Sequence, residues 1–222
     1  MVISVVNEKG GSGKTTLATN LAFKFSSEKL DILLIDADPQ RSIETFMDFR
    51  ANNDLEFPFN SISRIGNSLS KEIKNFISKY DSIIIDTGGR DSSEMRQALL
   101  LSDLVLIPTI ASGYDQAVLE KMINLVKEAS IVNEKLKALI VINRASPNPF
   151  LEKKINNLKE YLLGNEDIGE NIEIAKTIIY EREIYKNVVF DGKSVIELEN
   201  NKAKSEIDNL YLDLLNFVKE KK

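Results

Sequence analysis

The stretch with the strongest chemical content lies near the start of the chain. Asn7-Glu8-Lys9-Gly10-Gly11-Ser12-Gly13-Lys14-Thr15-Thr16 sits between the apolar run Val2–Val6 and a helical stretch. Glycines let a backbone turn tightly and aim its N–H groups at an anion. A helix N-terminus adds unpaired amides and the positive end of its dipole. In such a loop Gly10, Gly11, Ser12, Gly13, Lys14, Thr15 and Thr16 would cradle phosphates. Lys14 would reach the β- and γ-phosphates, and the Thr15 hydroxyl would ligate magnesium. This is the chemistry of a P-loop that binds ATP and Mg2+. The general spelling wants glycine five residues before Gly13, but Glu8 stands there, and an extra lysine, Lys9, follows it.

Three further stations follow apolar runs. Asp36-Ala37-Asp38-Pro39-Gln40 comes after Ile32–Ile35. Aspartates at the end of a buried strand are costly unless they face polar ligands, although Asp and Pro also suit a plain capped turn. Ser82–Ile85 ends in Asp86, the Walker B pattern in which a carboxylate holds magnesium. Thr87-Gly88-Gly89-Arg90-Asp91 continues from it, and the glycines suit a mobile segment that senses a γ-phosphate. Ala138–Ile142 runs into Asn143-Arg144. An amide offers both donor and acceptor to an adenine edge, while a turn-forming asparagine is the plainer alternative.

The elements that must position these residues alternate. The apolar runs Val2–Val6, Ile32–Ile35, Ser82–Ile85, Leu104–Ile107, Ala138–Ile142 and Ile172–Ile179 read as strands covered on both faces, with Phe59–Ser63 a further short strand. Helical stretches are expected at Lys14–Ser27, Arg41–Arg50, Gly66–Lys79, Ser92–Leu101, Asp115–Ser130, Phe150–Leu163 and Arg182–Phe190. A terminal helix, about 201–219, should dock on the rest through Ile207, Leu210, Tyr211, Leu214, Leu215 and Val218. Strand–helix alternation means βαβ crossovers: an α/β, doubly wound, mostly parallel sheet with helices on both faces. No repeat or low-complexity linker divides residues 1–222, so one domain is expected. In such sheets ligands bind beyond the carboxyl ends of the strands, which is where all these stations fall.

Composition excludes other chemistry. The chain has no cysteine and no histidine, which removes disulfides, thiolate and imidazole metal sites, iron–sulfur clusters and a histidine base. Any hydrolysis must use carboxylates, lysines, backbone amides and a bound cation. Hydrophobic residues at 43% argue for a packed globule, and a net charge of −5 does not advertise nucleic-acid binding. No signal peptide and no membrane-length apolar run is visible, so a cytoplasmic protein is expected.

The spelling of Lys9-Gly10-Gly11-Ser12-Gly13-Lys14-Thr15-Thr16 resembles the deviant Walker A signature of the ParA/MinD group of P-loop ATPases. The other motifs follow in that family's order from Met1 to about Glu197. Short length and the absence of an N-terminal DNA-binding extension make the small ParA plasmid-partition proteins the nearest likeness. The resemblance implies catalytic roles for Lys9, Lys14 and Asp38. Asp38 would position or activate the attacking water. Thr15, Asp36 and Asp86 would serve magnesium, and Asn143 would contact adenine. Lys9 would reach the phosphates of a second subunit, so that ATP binding produces a homodimer. It implies further that this dimer binds DNA non-specifically, associates with the nucleoid, and hydrolyses ATP with a small ParB-like DNA-binding partner. Arg182, Lys186, Lys202 and Lys204 lie where DNA-contacting residues are expected, although each also reads as part of a solvated charged face. The chain departs from many relatives in having Gly88-Gly89 where they have prolines.

Two other classes compete. A MinD-like membrane-cycling regulator needs a basic amphipathic helix, but the terminal helix carries Glu206, Asp208 and Asp213, so no membrane contact is expected. Lys219, Lys221 and Lys222 read as a solvated tail. A metabolic enzyme on the same scaffold would need a substrate site, for which the sequence offers no feature; a cluster-bearing reductase would need cysteines.

Overall fold

The computed structural model describes residues 1–219; Lys221 and Lys222 lie outside the described residues. Along the chain run β1 (Val2–Val5), α1 (Lys14–Ser27), β2 (Ile32–Ala37), α2 (Ser42–Asn52), β3 (Asn60–Ser63), α3 (Leu69–Phe76), β4 (Ser82–Thr87) and α4 (Ser93–Leu101). Then follow β5 (Leu104–Thr109), α5 (Gly113–Ser130), β6 (Lys137–Ile142), α6 (Glu152–Leu163), β7 (Ile172–Ile174), α7 (Ile184–Phe190) and α8 (Lys202–Lys219).

Alternate residues of a strand face opposite sides, so a strand apolar throughout needs cover on both. That is what the packing shows. Ile3 and Val5, Ile32 and Leu34, Leu104 and Leu106, and Leu139 and Val141 face a core shared with α1, α2, α7 and α8. Val105, Ile107, Ala138 and Ile140 face α5 and α6 on the other side. Leu33, Ile35, Ile83 and Ile85 meet α3. The sheet is parallel throughout, in the order β3-β2-β4-β1-β5-β6-β7. The first strand of the chain is therefore the middle strand of the sheet, and the carboxyl ends of β1, β2, β4, β5 and β6 share one edge.

Helix α8 buries Ala203, Ile207, Leu210, Tyr211, Leu214 and Phe217 at helical spacing. Tyr211 packs edge-on against Phe25 of α1 at 4.9 Å, and each of the larger buried side chains contributes on the order of 2 kcal/mol. Lys137 of β6 donates to the carbonyl of Phe217 at 2.7 Å, satisfying an orphan acceptor at the helix C-terminus. A second tie joins the C-terminal part to α2. Buried Arg50 holds Glu197 at 2.8 and 3.0 Å and donates to the Gly192 carbonyl at 2.9 Å. Gly192 has φ +65°, and a Cβ there would stand 2.4 Å from Arg50 Cα, so only glycine fits.

Several expected elements differ at their ends, and for three the contacts or backbone show why. The last strand ends at Ile174 rather than Ile179, because the Thr177 N–H turns to Asp213 of α8 at 2.8 Å while Ala175 and Ile179 still donate to β6. The expected helix Gly66–Lys79 opens as a 3-10 turn, Gly66–Ser68, on a glycine with φ +77°, and its regular part is Leu69–Phe76. The helix placed at Arg182–Phe190 begins at Ile184, since Arg182 is drawn to Glu206 of α8.

Candidate functional site

The loop after β1 is pinned before it turns. Buried Asn7 donates to the Pro108 carbonyl at 2.7 Å and accepts from the Lys9 N–H at 2.8 Å, tying β1 to β5 at the point where the chain leaves the sheet. Gly13 then takes φ +90° and opens α1. A Cβ there would lie 2.3 Å from Asn143 Nδ2, so both conformation and space require glycine at this position.

Around this loop lies a cavity of about 800 Å3, lined among others by Lys14, Thr15, Asp38, Gly89, Asn143 and Glu181. Gly10, Gly11, Gly13 and Thr16 also line it; Ser12 is buried, and its hydroxyl has no protein partner. The Lys14 ammonium donates to the Lys9 carbonyl at 3.1 Å. Burial pulls it below the ordinary lysine value, while Asp86 and Asp38 push the other way. A cation held in a loop of backbone amides is an anion site.

Asp86, the last residue but one of β4, lies in register with Asp36 of β2 and Val5 of β1. Its Oδ2 accepts from the Thr15 hydroxyl at 2.6 Å, and its Oδ1 is buried without a partner. Burial pushes its carboxyl up to about 7; Asp36 and Asp38 add to this, opposed by the Thr15 hydrogen bond and Lys14. Among the described residues no group of three or more carboxylates could hold a metal alone. One unsatisfied carboxylate oxygen beside a hydroxyl nevertheless fits magnesium, which takes few protein ligands and fills its shell with phosphate and water oxygens. Asp36 accepts from the N–H groups of Asp38 and Ile43, both at 3.0 Å. It therefore shapes the loop and the start of α2, and burial raises its carboxyl as well. Asp38 lines the cavity, with Oδ1 accepting from the Gln40 N–H at 2.9 Å.

Asn143 lines the cavity but has its Nδ2 on the Ser12 carbonyl at 2.6 Å. Its neighbour Arg144, at φ +51°, donates to the Gly11 carbonyl at 2.5 Å and pairs with Glu181 at 2.9 Å. The segment after β7 thereby closes over the loop. The Lys9 ammonium pairs with Asp115, a buried residue in the first turn of α5, at 2.7 Å. Ser112 caps that helix and also donates to Asp115. Glu8 is held by Lys121 of the same helix at 2.6 Å.

The four residues expected to contact DNA do not form a free basic patch. Arg182 is paired with Glu206 at 2.5 Å and Lys186 with Glu183 at 2.9 Å. Lys204 donates to the Leu198 carbonyl at 3.2 Å, and Lys202 is exposed. Reading the sequence missed Asp115, whose signal was the cap spacing of Ser112 and Asp115, and Glu181 as the partner of Arg144, for which there was none.

Comparison with known proteins bears on this geometry. The family model described as the CobQ/CobB/MinD/ParA nucleotide binding domain matches residues 3–195. The maintenance of carboxysome distribution protein A of Halothiobacillus neapolitanus is 25% identical over 217 residues, covering 96% of this chain and 95% of that protein. Protein ParA of Rhizobium radiobacter is 26% identical over 207 residues, covering 91% and 88%. Among solved structures, the ATP complex of McdA from Cyanothece superposes with a TM-score of 0.77 at 19% identity, covering 96% of this chain and 95% of that one.

Proposed function

Because the chain belongs to the CobQ/CobB/MinD/ParA nucleotide-binding family, we propose that it is a ParA-like partition ATPase. It binds ATP and Mg2+, forms a homodimer in that state, binds DNA without sequence preference, and hydrolyses ATP when a small ParB-like DNA-binding partner engages it. The observation that carries this reading is the convergence of Lys14, Thr15 and Asp38 on one cavity, with Asp86 behind Thr15.

In this reading the loop amides and Lys14 hold the β- and γ-phosphates. Thr15 and Asp86 would hold magnesium, which when bound would supply charge neutralisation on the phosphates, and Asp36 would support them from the neighbouring strand. Asp38 orients the attacking water, the role left to a carboxylate where there is no histidine. Asn143, with its Nδ2 engaged on Ser12, offers the oxygen of its amide to the adenine amine. Lys9 leaves Asp115 and reaches the phosphates of the second subunit, exchanging one anion for another, and so stabilises the transition state from across the interface.

For DNA we propose the face carrying Arg182, Lys186, Lys202 and Lys204. Because Arg182 and Lys186 already have carboxylate partners, Lys202 and Lys204 carry the larger share. The MinD-like alternative is less well supported, because α8 commits its apolar side to the core. Co-sedimentation of Asp38→Ala with arbitrary duplex DNA, with and without Mg-ATP, tests the proposal. Binding should require ATP and weaken steeply with salt; no binding at low salt with ATP present would reject it.

A further inference from the structure

Five cations line the cavity: Lys14, Arg90, Arg144, Arg182 and Lys186. Three of them are committed to carboxylates, namely Glu181, Glu206 and Glu183 respectively. Among the described residues, Lys14 and Arg90 are the two pocket cations without an ion pair. Lys14 has its phosphate role. Arg90 has none so far.

The carboxylates that line the cavity do not claim it. Asp38 accepts from Gln40 N–H at 2.9 Å, Glu94 from Gly66 N–H at 2.7 Å, and Glu181 pairs with Arg144. Asp91, next in sequence, is turned aside by Arg96, which holds both its oxygens at 2.8 and 2.6 Å. The charge that this loop presents to the cavity is therefore that of Arg90.

Its position follows from the two glycines before it. A Cβ on Gly89 would stand 2.9 Å from Gly10 Cα and 3.0 Å from Gly10 N; one on Gly88 would stand 3.4 Å from Asp38 Oδ1. Two residues without side chains let the loop after β4 lie directly on the phosphate loop and on the Asp38 turn. Arg90 emerges beside both, exposed and unpaired.

We propose that Arg90 is a further γ-phosphate ligand acting in cis. Its guanidinium closes on the terminal phosphate of the nucleotide bound to the same subunit and so separates ATP from ADP. The planar fork matches two phosphate oxygens at once, and ADP offers no group at that place. The proposal rests on the reading of the cavity as an ATP site.

The test is equilibrium titration of Mg-AMPPNP and Mg-ADP against the wild-type chain, Arg90→Ala, Arg90→Lys and Lys14→Ala, at protein concentrations where light scattering shows monomers. Arg90→Ala should keep the wild-type ADP affinity and lose roughly tenfold or more for AMPPNP, the effect of one charge-assisted contact. Arg90→Lys should lose less, since charge remains without the fork. Unchanged AMPPNP affinity in Arg90→Ala overturns the proposal, as does an equal loss of both nucleotides. An effect confined to dimer-forming concentrations overturns its cis geometry. Lys14→Ala should weaken both nucleotides; if it binds both normally, the ATP-site reading itself fails, and the role of Arg90 falls with it.

Discussion

Replacing Asp86 by asparagine should stabilise the protein free of nucleotide and metal while destroying its magnesium site. Asp86 is fully buried, and burial pushes its carboxyl up to about 7, against roughly 3.9 for an unperturbed aspartate. The folded state therefore keeps a proton that the unfolded state has released, and stability falls as pH rises between those two values. Three powers of ten in the proton equilibrium correspond to a ceiling of about 4 kcal/mol above pH 7. Between about pH 5.5 and about pH 8.5 the wild type should lose about 2 kcal/mol through this group, and Asp86→Asn should lose none of it. The Thr15 hydroxyl can still donate to the asparagine oxygen, and the favourable field of Lys14 is what the variant gives up. A net gain of about 1–4 kcal/mol at the higher pH is expected. Urea unfolding of both proteins at the two pH values, in chelator, measures it. Added magnesium should shrink the difference, because it favours the ionised carboxylate that asparagine lacks. Parallel pH profiles for the two proteins would refute the assignment of Asp86 as a buried, destabilising charge.

Two other contacts have measurable consequences. A Lys9→Ala, Asp38→Ala double variant should bind Mg-ATP as a monomer, whereas Asp38→Ala alone should dimerise; equal dimerisation in light scattering would take Lys9 out of the interface. Gly192→Ala must place a Cβ 2.4 Å from Arg50 Cα at φ +65°, costing about 2–5 kcal/mol from left-handed backbone and overpacking combined; a loss below about 0.5 kcal/mol in urea unfolding would mean that this turn is not seated on α2.

The sequence announced the strands because each central one is apolar on both faces, as in Ser82–Ile85 and Leu104–Ile107, which leaves little room for another reading. It announced the phosphate loop because glycine spacing, lysine and threonine have a shared purpose at a strand–helix junction. It was less informative where long-range partners decide. Ile172–Ile179 looks like one strand, but Asp213, 36 residues beyond Thr177, takes the N–H that would have continued the ladder. Likewise Arg182 reads as a free cation until Glu206 is placed beside it, and Arg50 reads as one more polar residue on α2, although it is buried against Glu197. Charge pairing between elements far apart in sequence leaves no periodicity to detect. The pairing of Lys9 with Asp115 is the same kind of fact, separated by 106 residues.

The central position of β1 has a consequence for how the chain is made. Val2–Val5 is synthesised before the rest of the sheet, yet its two ladder partners are β4 and β5, and its phosphate loop is pinned at Pro108. About 100 residues must follow before the middle of the sheet can close, on the order of 5–20 s of synthesis. Through that interval a strand that ends fully buried, with three of its four side chains apolar, lacks its ladder partners, and its edges are open to other chains. The closing of α8 on α1 comes later still. Slow growth at the ribosome exit, crowding by sister chains, or loss of the chaperones that cover nascent segments should therefore reduce soluble yield through β1, with no change in the finished molecule.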